Sequence, residues 1–152
     1  MGIKMKTTVT LSASADCPSH SLSEVSVRDL TQMIDEPNER GGSNKGFTPT
    51  DTALSALIGC TNVIGHKCAK KLGVDIGHLK ISAHCTFNRL GVTLAEEIDV
   101  PFEAIELTVV ADGPATQDEL DSVAHEVAKY CPLSKLFRQA GTEIKEDWRK
   151  AG

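Results

Sequence analysis

The chain has 152 residues, 40% of them hydrophobic, with a formal net charge of −5 and an isoelectric point near 5.5. That is enough for one domain with a real core, and its acidity excludes nucleic acid and an anionic membrane surface as main partners, because both require a basic face. Five cysteines scattered at positions 17, 60, 68, 85 and 131 do not form a disulfide-stapled secreted scaffold, and no apolar run approaches the ~20 residues of a membrane span; the expectation is a single cytoplasmic domain over residues 1–152.

In chain order, Lys6 to Ala15 is rich in Thr, Val and Ser, and Leu22 to Ile34 carries Val25 and Val27 two apart. These stretches predict two strands joined by a connection holding Cys17, Pro18 and His20. Asp35 to Gly46, DEPNERGGSNKG, is a surface loop by its Gly, Pro, Asn and charge. A helix then follows from Thr48 to Leu72: Thr48 serves as N-cap, Pro49 suits the first helical position, and Asp51 stands where a capping box needs its acid. Its apolar residues cover more than one stripe, so the helix is expected to be buried on most sides. Gly59, immediately before Cys60, costs about 1 kcal/mol against Ala and implies a close approach there. Gly73 supplies the stop.

Beyond the helix, Leu79, Ile81, Ala83, Cys85 and Phe87 alternate with polar residues, a half-buried strand with Cys85 on the core side and His84 on the other. Phe102 to Ala111 gives a second strand antiparallel to it. Thr116 and Glu119 form a capping box that opens a helix ending near Tyr130, and Pro132 starts another with Cys131 at its N-cap. Residues from Thr142 onward read as a short strand or a frayed helix. The order predicts an α+β fold, with antiparallel sheets around a central helix so apolar that a second copy of the chain is a reasonable cover for it.

Considered from the residues alone, Cys60 is a small buried side chain or a reactive thiol. Cys131, beside a helix N-terminus, is the more acidic of the two on dipole grounds. Cys68 and Cys85 read as packing and Cys17 as an incidental exposed thiol. His66 and His84 lie near cysteines, but no ligand quartet has metal spacing, so neither metal nor cofactor is expected.

Gly41-Gly42, then Pro49, then Gly59-Cys60-Thr61 and finally Cys131-Pro132-Leu133-Ser134 resemble, in joint order and spacing, the OsmC/Ohr family of osmotically inducible and organic hydroperoxide resistance proteins. The likeness runs from about His20 to Phe137. It implies an intertwined homodimer with two active sites. It further implies a thiol peroxidase in which Cys60 attacks a small organic hydroperoxide, Cys131 resolves the sulfenic acid as a disulfide, and a dithiol such as a lipoyl group reduces it. In the hydroperoxide-resistance branch an arginine activates the first thiol and is held by a glutamate just after the helix-opening proline. Here that place is Thr50, a departure, and Asp51 one residue later matches a glutamate of other branches. Arg28, read as lying inside a strand, and Arg40 in the loop are the arginine candidates. About 1.5 Å of rise per residue separates Asp51 from Cys60 by roughly 13 Å along the helix, so this carboxylate acts only through an arginine or a neighbouring subunit. The departure at Thr50 also motivates an alternative, a binding or sulfur-carrying protein of the same fold without peroxidase activity.

Overall fold

A computed structural model describes residues 2–152 as two compact units, one running through Thr52 and the other from Ala53 to Gly152. The first holds a three-stranded antiparallel sheet, β1 (Ser14–Asp16), β2 (Ser23–Val27) and β3 (Leu30–Ile34). The two expected strands are thus redistributed. Only Ser14 and Ala15 of the first stretch pair, with Asp16 just beyond it, while the second folds into a hairpin in which Val27 faces Leu30 and Arg28-Asp29 make the turn. Arg28 therefore sits at the turn, with φ of 56°, and not inside a strand.

The loop after β3 is organised by Asp35, a fully buried carboxylate that sequence reasoning passed over. It accepts hydrogen bonds from the Ser43 hydroxyl and from the N–H groups of Lys45 (3.1 Å) and Glu36 (2.8 Å). Those donors, Ser43 first, hold its carboxyl well below the usual carboxylate range against the opposing cost of burial. Thr48 then caps the long helix α1 (Pro49–Leu72), accepting from the Asp51 N–H at 3.1 Å. At the other end Gly73, at φ of 70°, closes α1 with a Schellman pair: Val74 N–H to Ala69 O and Gly73 N–H to Lys70 O.

In the second unit β4 (Leu79–Phe87) pairs antiparallel with β5 (Phe102–Ala111), as the alternation predicts. The chain crosses over through α2 (Gln117–Tyr130) and α3 (Pro132–Gln139), then returns as β6 (Glu143–Lys150), parallel to β5. The tail expected as a short strand or frayed helix is thus a full strand, and its parallel pairing departs from the all-antiparallel expectation. Parallel neighbours need a long crossover, and the two consecutive helices supply it. Central strand β5 buries Ile105, Leu107, Val109 and Ala111 on one face, against Leu57 of α1, Leu120, Val123 and Val127 of α2, and Trp148 of β6.

Helix α1 is less enclosed than its composition predicts. Leu57, Thr61, Gly65, Cys68 and Ala69 are buried, but Ala56, Gly59 and Val63 face outward, Val63 with 53% of its surface exposed. Among the described residues, a Cβ on Gly59 would meet no atom within 4 Å, so none of them makes the close approach inferred there. It occurs at Gly65 instead, where a Cβ would stand 3.0 Å from the Trp148 ring. Replacing Gly65 by Val should therefore push the indole of β6 from its place in the core and lower the unfolding free energy by about 1–3 kcal/mol, read as a lower urea midpoint with an unchanged m-value.

Candidate functional site

Helix α2 ends where it must. Pro132 disfavours a helical conformation in the residue before it, and Cys131 accordingly adopts an extended backbone, φ −70° and ψ 110°. That residue closes α2 with its N–H on Val127 O at 2.9 Å and opens α3 with its C=O on the Lys135 N–H at 3.0 Å. Its sulfur completes the cap by accepting the Ser134 N–H at 3.4 Å. The same sulfur donates its S–H to Cys60 Sγ, 3.2 Å away and 71 residues earlier in the chain. Cys60 reaches this point from the middle of α1, half-buried and packed against the core. Both thiols are free. A disulfide needs about 2.05 Å between sulfurs, so a shift of roughly 1 Å would join them.

The two residues named from the sequence as a pair are thus brought together, but Cys131 is not the acidic thiol that its helix-cap position predicts. Burial pushes its thiol up to about 11; the Ser134 N–H pulls the other way and the neighbouring Cys60 adds to the rise. Cys131 is 0% exposed, and at such a depth loss of hydration outweighs the favourable helix terminus that sequence reasoning relied on.

The other cysteines lie apart from this pair. Cys68 is buried and its thiol is raised by burial, with Glu126 adding and Lys71 opposing. Cys85 faces the core side of β4, raised by burial, and donates to Thr86 O at 3.6 Å. Cys17 is exposed. His84 lies on the open face of β4, and both ring nitrogens of His66 face carbonyl oxygens, of Asn62 at 2.9 Å and Gly77 at 3.0 Å. Asp51 occupies the first turn of α1 and Arg28 the β2–β3 turn, both in the first unit. Arg40 is engaged with Glu36 at 2.8 Å within its own loop. Thr50 shares a 3.1 Å hydroxyl contact with the capping Thr48.

Two features were not found from the sequence. One is Arg138, seven residues after Cys131, whose guanidinium reaches Ser134 in the first turn of α3; the helical spacing was there to be read. The other is an apolar cleft of about 250 Å³ lined by Ala53, Pro101, Phe102, Leu133, Leu136 and Phe137 among others. Leu133 is two residues after Cys131. Ala53 is seven before Cys60, close to two full turns, and so lies on the same side of α1. The edge-to-face rings of Phe87, Phe102 and Phe137, with centroids 5.0 and 5.3 Å apart, stiffen its wall.

Residues 42–147 match the family model described as OsmC-like protein. No curated protein sequence matches the chain closely enough to count as a relative. Among solved structures, an OsmC-like protein from Mycoplasma pneumoniae superposes with a TM-score of 0.78 at 18% identity, over 95% of this chain and 99% of that one. An organic hydroperoxide resistance protein OsmC from Legionella pneumophila gives 0.69 at 16% identity, over 95% and 99%. An organic hydroperoxide resistance protein from Elizabethkingia anophelis, with thiocyanate bound, gives 0.70 at 19%, over 97% and 100%. At these identities the likeness is one of fold.

The raised Cys131 thiol has a consequence for stability. The folded chain keeps a proton there that the unfolded chain releases from pH near 9, so the unfolding free energy falls as pH rises from about 9 to about 11. The loss attributable to Cys131 should be about 2 kcal/mol. Urea midpoints across that range should slope downward less in Cys131→Ser than in the native chain, the residual slope coming from other groups raised in the fold, among them Cys68, Cys85 and Lys71.

Proposed function

The chain belongs to the OsmC-like protein family, and on that premise we propose that it is a thiol peroxidase that reduces organic hydroperoxides with Cys60 and Cys131. The observation that carries this reading is the 3.2 Å contact between two free sulfurs, one half-buried and one fully hidden. As a thiolate, Cys60 attacks the distal oxygen of the hydroperoxide; the O–O bond breaks, the alcohol leaves with a proton, and Cys60 becomes a sulfenic acid. Cys131 then attacks the Cys60 sulfur. An S–S bond forms, the S–O bond breaks, and the Cys131 proton leaves with the hydroxyl as water. A dithiol such as a lipoyl group reduces the disulfide by thiol exchange and is itself oxidised to a cyclic disulfide.

Several features support the remaining parts of the reading. The Cys131 S–H points at the Cys60 sulfur, which places the second thiol directly against the atom that would be oxidised. The apolar cleft beside Leu133 offers the organic part of the hydroperoxide a dry place. Arg28, on an exposed turn, is the candidate cation for the attacking thiol, and Asp51 the candidate carboxylate to orient it. The outward stripe of Ala56, Gly59 and Val63 on α1, small enough for another backbone to come close, is where the proposed homodimer would meet.

In the test, Cys60→Ser should abolish consumption of an alkyl hydroperoxide with dihydrolipoamide as reductant. Cys131→Ser should complete one turnover and then accumulate sulfinic acid at Cys60, seen as a 32 Da gain by about two oxygen masses. Full turnover by the Cys60→Ser protein would rule the reading out. It would leave a binding or sulfur-carrying role, which the Thr50 hydroxyl in place of a carboxylate favours. For the assembly, Gly59→Leu meets no obstacle inside one chain, so it should leave the fold intact and convert a dimer to a monomer in sedimentation; an unchanged dimer would place the interface elsewhere.

A further inference from the structure

We propose that Arg138 is a positioning residue for the thiol pair, holding the Ser134 N–H on the Cys131 sulfur by tying the first turn of α3 to β6. The proposal rests on the peroxidase reading and deepens it.

Helix α3 is eight residues long, too short to hold its own orientation in water. Its fully buried side chains are Ser134 and Phe137, with Leu133 partly buried against the core, so its apolar anchorage is slight. Arg138 supplies the other. Its Nε donates to Ser134 Oγ at 3.1 Å, its Nη1 to Ile144 O on β6 at 3.3 Å, and its Nη2 stands 3.7 Å from the Glu146 carboxylate, also on β6. Glu146 is only 12% exposed against 40% for Arg138, so the guanidinium is drawn inward to a carboxylate that would otherwise be buried without a counter-charge. Burial raises the Glu146 carboxyl and the Arg138 charge opposes the rise. A planar group held at three acceptors on two elements is a stiffer brace than a lysine could make.

The brace matters at one step. As Cys131 passes its proton to the sulfenic hydroxyl of Cys60, which departs as water, negative charge rises on Cys131 Sγ ahead of S–S bond formation. The Ser134 N–H, 3.4 Å from that sulfur, is a donor fixed in position to meet the charge. The cost of depth, which holds the thiol neutral, is offset there most of all, with a smaller contribution from the Leu133 backbone N–H. Arg138 does not touch either thiol; its effect passes through Ser134.

The experiment uses the full chain and three variants, Arg138→Met, Ser134→Ala and the double, each checked by circular dichroism and urea unfolding. Ser134→Ala keeps the N–H but removes the brace's foothold, and it decides the matter if Arg138→Met fails to fold. With tert-butyl hydroperoxide, rapid quenching and mass spectrometry separate formation of the Cys60 sulfenic acid from disulfide formation. Each variant should form the sulfenic acid within about twofold of the native rate, yet close the disulfide about tenfold more slowly and with its pH profile displaced upward. The double variant should be no slower than either single one, because both remove the same brace. An unchanged disulfide step, equal slowing of both steps, or additive effects would overturn the proposal. Diamide closes the same disulfide without a hydroperoxide. If the native chain closes it with diamide but not with hydroperoxide, the peroxidase reading has failed, and the comparison of variants under diamide still supports or overturns the brace.

Discussion

The geometry of the thiol pair depends on one substitution of roles: a sulfur does the work of a hydroxyl at a helix cap. Ser, Thr, Asp or Asn ordinarily occupies such a position and accepts an N–H from the first turn. Cys131 does so here with Sγ, and because Pro132 forbids α2 to continue, the residue is pinned between two helices by its N–H, its C=O and its side chain together. A thiol fixed at three points has little freedom in where its S–H can go. It goes to Cys60.

That arrangement reconciles two tendencies that would otherwise conflict. A helix terminus favours a thiolate and a dry core forbids one, and Cys131 is subject to both. Depth prevails, leaving a neutral donor aimed at its partner. Cys60, by contrast, is half-buried on a helix one side of which is open. In the proposed reading the difference in accessibility sets the order of events: an oxidant reaches the half-buried sulfur first, and the hidden one is protected until its neighbour has been converted to an electrophile.

Much of this was legible in the sequence because it rests on local rules. Thr48 and Thr116 cap their helices by the expected hydroxyl contacts, Cys131 caps α3, and the alternation in Leu79–Phe87 and Phe102–Ala111 gives the pairing of β4 with β5. What escaped depends on distant partners. Nothing near Glu143 announces that β6 will lie parallel to β5, since that register is decided by the crossover of two helices. Asp35 reads as one more acid in a polar loop, and only the folded loop turns Ser43 and Lys45 toward it. The reversal at Cys131 has the same origin: a dipole can be inferred from a proline, while depth depends on what the rest of the chain places above it.

The glycines of α1 carry the argument one step further. Gly59 and Gly65 stand six residues apart in one helix and cost it similar intrinsic stability, yet only Gly65 has a neighbour, the Trp148 ring. A glycine retained against an adjacent backbone or ring explains itself. One that faces open space beside Cys60 does not, unless something outside the single chain comes close. The same outward side carries Ala56 and Val63, small or apolar and unhydrated by any charge of their own. In the proposed homodimer, a second copy laid along this stripe would cover the open side of the Cys60 helix and supply the neighbour that Gly59 lacks.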